Sequence, residues 1–176
     1  AGCAVKDDGT LACWGNYIGD YDHDTPTGNN FVEVTVGSAH ACARATDGVV
    51  TCWASTNNWS VLIVPPVSFT RIAAGESHVC GLVTDGSIVC WGANFYGQTS
   101  PPAGNDFVQI GSGHWRSCAL TAQGSAICWG YPAHADTFGG STLAGPLVKI
   151  AVTFSMTCGL NASGQQLCWG ANARPP

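Results

Sequence analysis

Apolar residues along the chain gather in short blocks. Runs such as Phe69-Thr-Arg-Ile72, His78-Val-Cys-Gly-Leu-Val83 and Ser87-Ile-Val-Cys-Trp91 are separated by Gly, Asp, Asn, Ser and Pro. No stretch sustains an apolar period of 3.6 residues, so the pattern predicts many strands of four to seven residues joined by tight turns. Alternation within the strands is weak. One hairpin holds Ala119, Leu120, Ile127 and Trp129, apolar on both faces. Strands covered on both sides belong to small sheets set between neighbours, and an all-β propeller, or an arc of propeller blades, satisfies that requirement.

The blocks repeat. Ten cysteines form five pairs, Cys3/Cys13, Cys42/Cys52, Cys80/Cys90, Cys118/Cys128 and Cys158/Cys168, each with a separation of ten, and the first members lie 39, 38, 38 and 40 residues apart. A period of about 38 residues predicts five stacked units of one repeat domain over residues 1–176, divided near 1–30, 31–68, 69–106, 107–146 and 147–176. Phe31, Phe69, Phe107 and Leu147 open a unit, each 11 residues before the first cysteine, and Trp14, Trp53, Trp91, Trp129 and Trp169 follow the second cysteine directly.

Midway between paired cysteines stand Asp8, Asp47, Asp85, Gln123 and Ser163, each followed by glycine. A three-residue hairpin loop that ends in a left-handed residue asks for glycine there. With that loop Ala119 faces Ile127 and Cys118 faces Cys128. Counting outward from the hydrogen-bonded closing pair places the cysteines on a non-hydrogen-bonded pair, where the Cα atoms are closest, at about 4.5 Å. That distance suits a disulfide. The Cys-x9-Cys spacing lacks the close pairs of a zinc knuckle, and the histidines sit elsewhere.

Charge and composition narrow the class. Only 10% of the residues are charged, the formal net charge is −5, and there are six Lys plus Arg with no basic cluster, so nucleic acid and anionic membrane are poor partners. The apolar run Val61 to Val64 ends at Pro65-Pro66, too short to span a bilayer. No signal segment is legible from Ala1 onward. Paired cysteines in a Lys-poor chain point to an oxidising, extracellular or cell-surface location.

Gly37-Ser-Ala-His40-Ala-Cys42 and Gly75-Glu-Ser-His78-Val-Cys80-Gly81-Leu82-Val-Thr-Asp85-Gly86-Ser-Ile-Val-Cys90-Trp91-Gly92-Ala-Asn94-Phe-Tyr-Gly97-Gln98 closely resemble the repeat of the regulator-of-chromosome-condensation superfamily of propellers. The Cys-Trp-Gly version is similar to the extracellular members, including secreted bacterial and algal proteins and the ectodomains of plant crinkly-type receptor kinases. The resemblance implies a scaffold whose partners range from proteins to chromatin. The cysteines, acidity and repeat length depart from the nuclear guanine-exchange branch, so exchange activity is not carried over. His40 and His78 keep the family-like histidine, where Arg116 and Met156 stand in later repeats, and Asn94-x-x-Gly97-Gln98 is complete only in the third repeat. All are expected to serve turns and packing.

Steps of 29, 28, 28 and 30 residues join the second cysteine of one unit to the first of the next, whereas eight residues follow Cys168 and two precede Cys3. Joining the ends leaves the ring about 18 residues short, and five hairpins share four opening strands. Two explanations stand: a segment of a longer polypeptide, or a strand supplied from elsewhere. An identical neighbour that supplied it head to tail would generate a ring or a filament.

No nucleophile elbow, phosphate loop or metal-binding helix motif is present, so no enzyme and no cofactor is expected. Asp20, Asp22 and Asp24 alternate on one loop and form a weak calcium candidate, with Thr25 and Phe31 where an EF-hand needs Gly and Glu. Tyr17, Tyr21, Trp59, Tyr96, Trp115 and Tyr131 lie outside the repeat frame, near connections, and are the candidate binding residues; their scatter over different blade positions argues against one repeated lectin pocket. Asn58 and Asn161 head N-glycosylation sequons. The reading is a non-enzymatic extracellular structural or interaction module, glycosylated and assembled by strand complementation, with protein partners that include identical subunits. The alternative is a soluble glycan-binding lectin or protein inhibitor that uses the loop aromatics.

Overall fold

A computed structural model describes residues 2–15, 25–54, 60–131, 146–153 and 156–170. Among the described residues it is all-β, with fourteen strands in chain order. These are β1 (Gly2–Val5), β2 (Leu11–Trp14), β3 (Phe31–Val36), β4 (His40–Ala45), β5 (Val50–Ala54), β6 (Phe69–Ala74), β7 (His78–Val83), β8 (Ile88–Gly92), β9 (Phe107–Ser112), β10 (Arg116–Thr121), β11 (Ala126–Gly130), β12 (Leu147–Val152), β13 (Met156–Asn161) and β14 (Gln166–Gly170). Four antiparallel sheets have three strands, in the orders β3-β4-β5, β6-β7-β8, β9-β10-β11 and β12-β13-β14; the first sheet, β1-β2, has two among the described residues.

Every hairpin has the register expected from its loop. Cys3 pairs with Cys13, Cys42 with Cys52, Cys80 with Cys90, Cys118 with Cys128 and Cys158 with Cys168. All five pairs are disulfides, with Cα atoms 4.0 Å apart, and no cysteine is free. The loop glycines adopt the left-handed backbone, from φ 79° at Gly9 to 84° at Gly48 and Gly124. Their carbonyls then reach forward. Gly9, Gly48, Gly86 and Gly124 each accept the N–H of the residue opening the next repeat, Phe31, Phe69, Phe107 and Leu147. One glycine thus shapes the turn and ties it to the following sheet.

Cores lie between sheets rather than within one. Phe31, Ala41, Ala43 and Trp53 pack against Cys3, Val5 and Leu11 of the first sheet. Cys42 and Val50 meet Phe69, Val79 and Trp91 at the next junction, and the sequence continues with Cys80 against Phe107 and Ala119, then Cys118 against Leu147 and Ile150. The apolar character of both strand faces is explained by this sharing. Successive opening strands β3, β6, β9 and β12 contact one another in order. The sheets form an open, incomplete propeller-like ring.

At the axial ends of these strands the backbones approach closely. A Cβ on Gly37 would collide with the His40 ring and the Gly75 carbonyl, and one on Gly75 with the His78 ring and the Gly113 carbonyl. Glycine at the head of Gly-x-x-His is therefore a packing requirement between neighbouring blades.

Candidate functional site

The third repeat, which alone carries Asn94-x-x-Gly97-Gln98 in full, folds those residues into a turn. Asn94 Oδ1 accepts the Thr99 N–H at 3.0 Å, the Asn94 carbonyl accepts the Gly97 N–H at 3.4 Å, and Gly97 has φ 79°. The turn presents Phe95 and Tyr96, 68% and 42% exposed. Beneath it, Gln98 Oε1 accepts the Tyr96 N–H at 2.8 Å and the Gln98 carbonyl accepts the Trp129 indole N–H at 3.0 Å. The Trp91 indole likewise donates to the Val61 carbonyl at 2.9 Å. Trp91 and Trp129 thereby hold the preceding connection onto the blade.

Against this turn comes the β9-to-β10 turn of the next sheet, with His114 and Trp115, and then Tyr131 just past β11, whose N–H donates to the Trp115 carbonyl at 2.8 Å. Tyr96 and Trp115 have ring centroids 4.8 Å apart, Tyr131 stands edge-on to both at 4.9 and 5.6 Å, and His114 stacks on Trp115 at 4.0 Å. Glu76 Oε2 lies against His114 Nε2. Three of the six aromatic candidates therefore converge on one face, although they occupy different positions in their repeats. Loops at the same end of adjacent blades meet in space whatever their offset in the repeat, which is why alignment on the cysteines scatters them.

A cavity of about 440 Å³ opens beside this cluster between the second and third sheets, walled by His40, Glu76, Phe95, Tyr96, Gln98 and Trp115 among others. A shallower hollow of about 280 Å³ adjoins it at Ser38 and Glu76 and runs along the axial glycines. His40 and His78 are 2% and 0% exposed, and burial lowers both imidazoles from 6.5 to about 4. For His40 the His78 backbone opposes the shift; for His78 the neighbouring His40 adds to it.

Other candidates fall differently. Tyr17, Tyr21, Trp59, Asn58 and the acidic trio Asp20, Asp22 and Asp24 lie outside the described residues. Among the described residues no group of three His, Cys, Asp or Glu is placed to hold a metal ion, and no helix is long and apolar enough to cross a membrane. Asn161 is 2% exposed; its Oδ1 accepts the N–H groups of Ser163 and Gln165 and the Ser163 hydroxyl, while its Nδ2 donates to Gln165 Oε1 at 2.9 Å. Its side chain closes the fifth hairpin turn, the place that Asp8 and Asp85 serve from within their loops. Glu76, Phe95, Gln98 and His114 were not singled out as binding residues. The Asn94-x-x-Gly97-Gln98 motif, complete only in the third repeat, was the available signal for two of them.

The family model described as the regulator of chromosome condensation (RCC1) repeat matches residues 69–98 and 107–134. No curated protein sequence matches the chain. Among solved structures, the CRINKLY WD40 ectodomain of an Arabidopsis thaliana receptor kinase superposes with TM-score 0.77 at 23% identity, covering 98% of this chain and 64% of that one. The entire ectodomain of a Physcomitrella patens receptor kinase gives 0.74 at 26%, covering 96% and 47%. Prp20p of Saccharomyces cerevisiae, described for its binding to Gsp1p and histones, gives 0.77 at 16%, covering 96% and 55%. The chain is thus a disulfide-bearing RCC1-like repeat protein. It spans about half to two thirds of the length of these structures.

Proposed function

We propose that the chain acts as one extracellular, non-enzymatic interaction module that takes up an opening-type strand at the free edge of its first sheet. The observation that carries this is the first sheet itself. β1 occupies the place of β4, β7, β10 and β13, each of which pairs on both sides, yet β1 pairs with β2 alone among the described residues. By the alternation of an antiparallel ladder, the backbone groups of Cys3 and Val5 point to its other edge. An edge with unpaired N–H and C=O groups is a template for strand addition. Five disulfides and the likeness to receptor ectodomains support an extracellular setting, and the Prp20p likeness supports protein partners.

The test is sedimentation of the oxidised chain over a range of concentrations, with and without a synthetic peptide of residues 105–113. Concentration-dependent assembly that the peptide inhibits is expected. A chain that stays monomeric at millimolar concentration and does not bind the peptide overturns the reading.

A second reading, a soluble binding protein working through loop aromatics, is favoured by the convergence of Tyr96, Trp115 and Tyr131.

A further inference from the structure

The junction between the second and third sheets lacks one bond that both junctions after it have. His78 Nε2 lies 2.8 Å from Ser117 Oγ, and at the following junction Arg116 donates to Thr157 Oγ1. In both cases the partner is the residue just before the first cysteine of the next repeat. For His40 that residue is Val79. His40 is 2% exposed, and its Nε2 has no hydrogen-bond partner. Gln98 is 1% exposed; its Oε1 and carbonyl are engaged as described, but its Nε2 has no partner either. Both residues line the 440 Å³ cavity.

An unpaired buried polar group costs about 1–3 kcal/mol, and natural folds carry few of them without a reason. Two on one cavity wall are what a ligand would complete. Their chemistry restricts that ligand. Gln98 Nε2 can only donate, and His40 Nε2 donates or accepts according to its tautomer. A hydroxyl does both. The imidazole is neutral at physiological pH, and Glu76 adds a carboxylate to the same wall, so an anion has nothing to pair with there. Tyr96 and Trp115 add aromatic surface of the kind that covers the C–H face of a sugar ring, and the volume falls in the range of small-molecule sites.

We infer that this cavity binds a neutral carbohydrate, whose hydroxyls complete His40 Nε2 and Gln98 Nε2 while its ring lies against Tyr96 and Trp115. The inference rests on the second reading above and names its ligand class. The test titrates the oxidised chain with glucose, galactose, mannose, xylose and N-acetylglucosamine and their short oligomers, followed by saturation-transfer NMR and calorimetry. At least one sugar binds at one per chain. Gln98→Met removes one unpaired donor, and Val79→Ser gives His40 a partner within the fold; each weakens binding about tenfold or more, roughly 1.4 kcal/mol, measured well below a melting temperature that both changes lower, because Val79 is core and Gln98 Oε1 holds the Tyr96 N–H.

Absence of binding across the whole panel overturns the inference, as does a sugar whose affinity neither variant changes. Tyr131 belongs to the aromatic cluster but not to the cavity wall, so it separates the two ideas. Sugar binding lost in Tyr131→Ala yet kept in Gln98→Met overturns the cavity and upholds the aromatic face. A chain that ignores every sugar but loses capture of a protein partner in Tyr131→Ala does the same.

Discussion

His78 Nε2 and Ser117 Oγ stand 2.8 Å apart across the junction of the third and fourth sheets, and both residues are 0% exposed. The same Ser117 hydroxyl lies 3.0 Å from Ser112 Oγ and 3.4 Å from Cys80 Sγ. Ser117→Ala leaves a buried ring nitrogen unsatisfied and is expected to cost about 1–3 kcal/mol, read as a lower urea midpoint with unchanged slope. A midpoint equal to that of the parent would show that the bond contributes nothing net.

The two buried histidines set an acid limit. Each has its folded-state pKa lowered from 6.5 to about 4 by burial. As pH falls below 6.5 the unfolded chain takes up protons that the folded chain refuses, so stability is full above about 6.5 and declines until about 4. The loss is on the order of 3 kcal/mol per ring. Asp8 and Asp85 have their carboxyls held low by Thr10 and Ser87, so their contribution fades only as pH falls through the carboxylate range. Denaturation at pH 7 and pH 4.5 checks this, and His78→Gln should flatten the profile.

Removing a disulfide should matter most where its sulfur is core. Cys118 is 0% exposed and packs against Leu147 and Ile150, while Cys3 and Cys13 are only half-buried beside the first junction. Each short loop is worth about 3 kcal/mol by chain entropy. The pair Cys118→Ala and Cys128→Ala additionally leaves a packing defect, so it should lower the melting temperature more than Cys3→Ala with Cys13→Ala. Equal losses would contradict the shared-core picture.

The position after each first cysteine must stay small. Ala43 and Ala119 share clusters with Phe31 and Phe107, and a Cβ on Gly81 would strike the Phe69 ring, as one on Gly159 would strike Leu147. Ala119→Leu overpacks that contact and is expected to cost about 1–3 kcal/mol, measured by thermal unfolding.

Hairpins, register and disulfides were legible because they depend on short-range signals: a loop glycine, an even count of residues on either side of it, and a fixed period. Junction chemistry was less so. His40 and His78 look alike in sequence, and only the partner 39 residues away, Val79 or Ser117, makes one unsatisfied and the other bonded. Tyr96, Trp115 and Tyr131 sit at unrelated repeat positions and meet only because adjacent blades bring their connections to one end. Asn161 heads a sequon, and its turn-closing role, in place of the aspartate of other hairpins, is seen only in the fold.

The first sheet carries the functional account, and amide hydrogen exchange at Cys3 and Val5 tests it most directly. Both amides face the edge of β1 away from β2. In dilute chain they should exchange quickly, while Ala4, bonded toward β2, is protected; at assembling concentration, or with the 105–113 peptide in excess, Cys3 and Val5 should become protected in step. Amides at Cys3 and Val5 that exchange equally fast under all three conditions would contradict strand addition at this edge.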